Sequence, residues 1–159
     1  MRRLRPANVL ALALPLALLA GAWGSQLIGG LVPCEMCHWQ RWPHYAAVVI
    51  AALAFVVPGR SARAMLIALA ALAIALSGVI GVAHAGVEYH WWPGFTACTA
   101  TTNLAGMDAA QRLDALFRAP VVRCDQAQWT FLGLSLAGFN AIFSIGGAVT
   151  IFALMRRAR

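Results

Sequence analysis

NVLALALPLALLAGAWGSQLI, residues 8 to 28, holds 21 residues without one charge and follows Arg2, Arg3 and Arg5. At about 1.5 Å of rise per residue, a helix of that length crosses a bilayer core of about 30 Å. Three further runs repeat the pattern, from about Trp39 to Val57, Ala64 to about Gly86, and about Trp129 to Met155. The chain is 62% hydrophobic with a mean hydropathy of +0.75, which excludes an ordinary soluble domain of 159 residues. The expected fold is an all-α membrane protein, a four-transmembrane-helix bundle forming one domain over residues 1–159. Its spans are expected at about 8–28, 39–57, 64–86 and 129–155, with two outward loops at about 29–38 and 87–128. MRRLR, a short apolar stretch and Ala20-Gly21-Ala22 also have the form of a signal peptide, whose cleavage would leave three spans. The continuation of the run to Ile28 favours the span.

The net charge of +7 comes from arginine alone, since the chain has no lysine. These arginines sit at helix ends and not on one solvated face, so no nucleic-acid partner is expected. Arg2, Arg3, Arg5, Arg60, Arg63, Arg156, Arg157 and Arg159 fall on one side. Arg41, Arg112, Arg118 and Arg123 face five acids on the other. Arginine near span ends is retained in the cytoplasm. Both termini are therefore expected inside, and Cys34, Cys37, Cys98 and Cys124 outside. Five tryptophans, Trp39, Trp42, Trp91, Trp92 and Trp129, fall at the outer boundary and Trp23 near it, as an interfacial belt requires.

In the second loop, Asp108 to Arg118 places Ala109, Ala110, Leu113, Leu116 and Phe117 at helical spacing, with Asp108 as a cap and Pro120 as a stop. Such a segment is expected to rest its apolar face in the membrane interface, the alternative being a surface helix packed on the loop's own residues. Small residues at every fourth position, Ser77, Gly81 and Ala85, then Gly133, Ala137 and Ala141, mark close helix packing.

PCEMCHWQR, residues 33 to 41, carries the chemistry. Cys34, Cys37 and His38 satisfy the pattern of covalent haem attachment, and the same residues contain a plain redox dithiol. The haem reading offers His38 as one ligand and Met36, His84 or His90 opposite it, but gives Cys98 and Cys124 no part. A metal centre would need two more ligands at a recognisable spacing, and none stands out, so no metal is expected. Outside the cytoplasm thiols pair. A bridge between Cys98 and Cys124 would stabilise by about 3.5 kcal/mol on the chain-entropy model, whereas one between Cys34 and Cys37 closes too small a loop to constrain anything. The vicinal pair is better explained by redox work. Cys37 lies where the second span begins, and a helix N-terminus and the nearby Arg41 both favour its thiolate, although Arg41 also has the length to snorkel to headgroups. If Pro43 sets the first turn instead, Arg41 precedes the helix and helical spacing no longer places it beside Cys37. Glu35, between the two cysteines, acts in the opposite direction. His84, in the third span, is either a packing residue or a proton relay.

Taken together, Cys34-Glu35-Met36-Cys37 with Arg41 four residues on, the Cys98 and Cys124 pair, and Gln128-Trp129-Thr130-Phe131-Leu132-Gly133 leading into the last span resemble the bacterial disulfide bond formation protein B family. These are inner-membrane quinone reductases that reoxidise a periplasmic thiol oxidase. The resemblance covers nearly the whole chain. It implies a thiol-disulfide oxidoreductase of the bacterial inner membrane whose partners are a periplasmic thioredoxin-like dithiol oxidase of the DsbA type and the membrane quinone pool, with ubiquinone or menaquinone as the cofactor. The implied relay starts when the partner attacks the Cys98 to Cys124 disulfide at Cys98. Released Cys124 bridges to Cys34, and the freed Cys37 donates into quinone beside Arg41. His84 falls near a quinone-proximal histidine of the family, across a one-residue gap. Gln40 stands before Arg41 where an acid is sometimes found.

Overall fold

The computed structural model describes residues 4–99, 106, 108–118 and 122–158. Arg2, Arg3, Pro120 and Arg159 lie outside the described residues, as do the side chains of Leu116 and Arg118. Among the described residues the regular structure is helical apart from one small hairpin. It runs α1 (Arg5–Leu27), α2 (Glu35–Val56), α3 (Arg60–Glu88), a short 3-10 turn (Ala97–Thr99), α4 (Ala109–Arg118), strands β1 (Thr130–Phe131) and β2 (Leu134–Ser135), and α5 (Leu136–Arg157).

Three of these helices, α1, α3 and α5, are long and apolar enough to cross a membrane. α2 has 22 residues, but its first half carries Gln40, Arg41 and His44, all three turned inward and buried. The core at the cytoplasmic end expected from the charges is rich in small side chains, Ala47, Ala51 and Ala54 of α2, Ala70 and Ala71 of α3 and Ala148 of α5, with Ile67, Ile74 and Ile151 buried among them. Small residues let backbones approach closely where lipid removes most of the hydrophobic drive for association. Large apolar residues such as Leu16, Val49, Leu72 and Val149 point outward instead. That arrangement is the reverse of a soluble bundle and suits a lipid surround.

α3 and α5 pack closely. A Cβ added to Gly81 would stand 3.0 Å from the Ala141 nitrogen and 3.1 Å from the Ala137 carbonyl oxygen. Gly81, buried on the same stripe as Ser77 and Ala85, thus packs against Ala137 and Ala141. Gly133 does not belong to that stripe. It sits at φ +77° in the hairpin turn beside Leu132 at φ +50°, left-handed positions that end β1 and turn the chain back as β2. Ser135 then caps α5 by accepting the Gly138 N–H at 3.1 Å. The last long helix therefore starts at Leu136, seven residues after the Trp129 expected from the apolar run.

α2 also starts elsewhere than expected. Cys34 is its N-cap and Glu35 its first residue, so the first turn precedes the apolar stretch from Trp39, and Pro43 lies well inside the helix. α4 has a reciprocal cap: Asp108 Oδ1 accepts the Gln111 N–H at 2.8 Å, and Gln111 Oε1 accepts the Asp108 N–H at 3.1 Å. Its Leu113 and Phe117 are exposed, with no cover from the rest of the described chain.

Candidate functional site

Cys34 and Cys37 are free thiols, brought together by the first turn of α2. The Cys37 N–H points at the Cys34 sulfur at 3.3 Å, as in any side-chain N-cap, and the two sulfurs are 3.0 Å apart. The Cys34 thiol donates to Cys37, and this bond splits the pair. It is the main reason that the Cys34 thiol is pushed well up, with burial and the Cys37 charge adding to it. The same bond is the main reason that Cys37 is pulled down, against the cost of burial, with the Arg41 charge assisting. Glu35 is exposed, and the anion that opposes the Cys37 thiolate is Glu88.

Arg41 is buried against α1. Its guanidinium donates to Gln26 Oε1 at 2.9 Å and to the Ala22 carbonyl at 3.2 Å, and lies 5.3 Å from the centre of the Trp23 ring. The Trp23 indole N–H is fixed by the Tyr45 hydroxyl at 3.0 Å. α1 thus holds the charge one turn below Cys37.

Cys98 and Cys124 form a disulfide with a Cα separation of 5.6 Å, and both are buried. The two cysteine pairs, 61 or more residues apart in every cross-pairing, meet in one cluster with Met36. His84 of α3 stands in the middle. Its Nε2 is 3.6 Å from the Cys34 sulfur, and the Cys34 sulfur, His84 nitrogen and Cys124 sulfur all lie within 4.8 Å of one another. Those three would be metal-ligand types, but the Cys124 sulfur is committed to the disulfide here. A haem has no comparable cradle, because His38 is exposed while Met36 is buried among the cysteines.

Sequence reasoning missed the polar groups that hold His84. Gln40 Nε2 donates to His84 Nδ1 at 2.8 Å, so the ring presents its other nitrogen to Cys34. Asn140 of α5 donates to Gln40 Oε1 at 2.8 Å and, through Oδ1, accepts from His44 Nε2 at 2.9 Å and from the Ser144 hydroxyl at 3.0 Å. Ser77 Oγ sits 2.9 Å from His44 Nε2 and donates to the Gln40 carbonyl. An amide inside an otherwise apolar span was the available signal, since such a group needs partners. Glu88 was missed as well: its side chain is 7% exposed, with Oε1 3.7 Å from His84 Nε2.

Beside this network runs an open cleft between α1, α2 and α5. Cys37, Arg41, His44 and Asn140 line it on the polar side, and Leu18, Phe139 and Phe143 on the apolar one. The His44 Nδ1 atom is buried and has no partner among the described residues.

Among relatives, a disulfide bond formation protein B of Polaromonas sp. (strain JS666) is 30% identical over 158 residues, covering 96% of this chain and 92% of that protein. A protein of the same name from Aromatoleum aromaticum is 33% identical over 82% of this chain and 78% of its own length. One from Acidovorax sp. (strain JS42) is 28% identical over 96% of this chain and 88% of its own length. No solved structure matches. The family described as disulfide bond formation protein DsbB matches residues 4–154, and with nearly the whole chain matched, this membrane protein with its two cysteine pairs belongs to that family.

Proposed function

We propose that the chain is a membrane thiol:quinone oxidoreductase that reoxidises a periplasmic thioredoxin-like dithiol oxidase. Four spans, α1, α2, α3 and α5, carry it through the bacterial inner membrane, with both termini cytoplasmic and the cysteine loops periplasmic. The single observation that carries the reading is the meeting of both cysteine pairs at the mouth of an apolar cleft, with Cys34 turned to Cys124 and Cys37 to the cleft.

The residues present fit a quinone. A flat ring with polar oxygens at opposite edges and an isoprenoid tail suits a lipid-side cleft with Arg41 and Cys37 at one place, His44 and Asn140 at another, and phenyl walls between. The unpartnered His44 Nδ1 is an acceptor, because Nε2 donates to Asn140, and a hydroxyl of the reduced form of such a ligand would satisfy it. Bound quinone supplies a two-electron, two-proton acceptor; ubiquinone and menaquinone both have the required shape.

The chain's own residues do the rest by thiolate exchange. A partner thiolate attacks Cys98, opening the Cys98–Cys124 disulfide and leaving Cys124 as the thiolate. Cys124 attacks Cys34 of the oxidised Cys34–Cys37 pair, and Cys37 departs as the thiolate. Cys34 is the sulfur within reach of Cys124, and Cys37 is the one whose anion is stabilised, so the direction of attack follows from geometry and charge together. Arg41 holds the Cys37 charge and the edge of the acceptor. His84, its orientation fixed by Gln40, keeps an N–H near the sulfur that changes partners.

The test is quinone absorbance on mixing purified protein with a soluble ubiquinone or menaquinone analogue and a reduced thioredoxin-like dithiol protein. Consumption of quinone that Cys37→Ser abolishes is the expected result; no consumption with either analogue sinks the reading.

A further inference from the structure

Glu88 is a carboxylate in an unusual place. Its side chain is more than nine-tenths buried at the end of α3, its Oε2 atom has no partner among the described residues, and it shares the mouth of the cysteine site with Cys34, Cys37, Arg41 and His84. The ionisable groups facing it come from three places. α2 supplies Cys34, Cys37 and Arg41, α3 supplies His84, and the loop before β1 supplies Arg123; α1 and α5 contribute none to this cleft. Arg123 is paired with Asp125 through both carboxylate oxygens. Arg41 gives its hydrogen bonds to Gln26 and Ala22 on α1.

One buried cation therefore faces two potential anions, the Glu88 carboxylate and the Cys37 sulfur. Two negative charges in a site of low dielectric strongly disfavour each other, and one of them protonates. His84 bridges them structurally: Nε2 is 3.6 Å from the Cys34 sulfur, which bonds Cys37, and 3.7 Å from Glu88 Oε1.

We propose that Glu88 is the proton acceptor for Cys37 and that the two groups share a single negative charge. Cys37–SH with Glu88–COO⁻ becomes Cys37–S⁻ with Glu88–COOH; one proton moves, and no electron does. During the relay, departure of Cys37 as a thiolate is matched by uptake of one proton from solvent at Glu88, and Glu88 releases that proton to solvent when the Cys34–Cys37 pair is oxidised again. Glu88 is a positioning residue in this scheme, since it acts on the reacting sulfur through charge. The use of the device rests on the thiol relay proposed above, whereas its existence does not.

The test is the pH dependence of Cys37 alkylation by iodoacetamide in the reduced, detergent-solubilised full-length protein, read residue by residue by peptide mass spectrometry. Glu88→Gln is expected to move the midpoint to lower pH and to raise the rate at pH 7 about three- to tenfold, while Glu88→Asp stays near the unchanged protein. A midpoint that stays put or rises in Glu88→Gln overturns the proposal. If Glu88→Gln does not fold, infrared difference spectra of the unchanged protein decide. Reduction of the Cys34–Cys37 pair is expected to bring up the C=O stretch of a protonated carboxyl group, and its absence overturns the proposal. Alkylation uses neither quinone nor partner. A protein that fails to reduce quinone while showing the Glu88 shift would therefore sink the relay alone.

Discussion

At the scale of single residues, the sulfur pair shows how few atoms set a reaction's direction. A cysteine with a lowered pKa becomes a thiolate at lower pH than a free thiol, whose midpoint is about 8.5. The Cys37 alkylation profile of the reduced protein is accordingly expected to have its midpoint below that value and Cys34 well above it. Arg41→Gln removes a charge that favours the Cys37 thiolate, so its midpoint is expected to rise and the rate at pH 7 to fall about three- to tenfold, opposite in sign to Glu88→Gln. A profile unaffected by Arg41→Gln would mean that the hydrogen bond from Cys34 acts alone. Much of this chemistry was legible beforehand. Cys34, Cys37 and Arg41 are close in sequence, and a helix start is readable from their neighbours. Glu88 was not legible as a partner, because its approach to the cysteine pair depends on how α3 is rotated against α2, and 51 residues separate it from Cys37.

At the scale of elements, the helices follow from uncharged runs, while their ends follow from local hydrogen bonding that hydropathy does not register. Trp129 to Leu134 is apolar enough to extend the last span, yet the left-handed Leu132 and Gly133 and the Ser135 cap place a hairpin there. In the same way, the Cys34 cap starts α2 ahead of its apolar stretch. The stripe of small residues on α3 was read correctly as packing, and its energetic weight is testable. Gly81→Leu would push a branched side chain into the α5 backbone, with contacts already at 3.0 Å for a Cβ alone. Overpacking of that kind costs about 1–3 kcal/mol, seen as a lower thermal midpoint in detergent. Gly146→Leu on α5, where an added Cβ meets nothing within 4 Å, is expected to stay within about 0.5 kcal/mol of the unchanged protein. Equal effects at the two sites would show that α3 and α5 do not pack as described.

At the scale of the whole molecule, two loops that are remote in sequence are brought to one point by the bundle. Cys34 belongs to the start of α2 and Cys124 to the long connection before α5, and their sulfurs lie within 4.8 Å with His84 between. That distance exceeds a disulfide bond, so exchange needs a small approach of the second loop. The two hydrogen bonds between Gln128 and the Val32 main chain restrict how far the loop departs. A protein arranged for electron passage between the pairs must therefore be able to form the crossed bridge. In a Cys37→Ser, Cys98→Ser double variant, only Cys34 and Cys124 keep their sulfurs, and neither has its original partner. Air oxidation is expected to join them within the monomer. The product would show no free thiols after denaturation and would migrate faster under non-reducing conditions than after reduction. A competing Cys37→Ser, Cys124→Ser variant leaves Cys34 with Cys98, whose sulfur is not in the cluster with His84, and is expected to bridge more slowly. If the first variant keeps two free thiols while the second closes readily, Cys98 is the residue that faces the inner pair, and the order of attack runs through it instead.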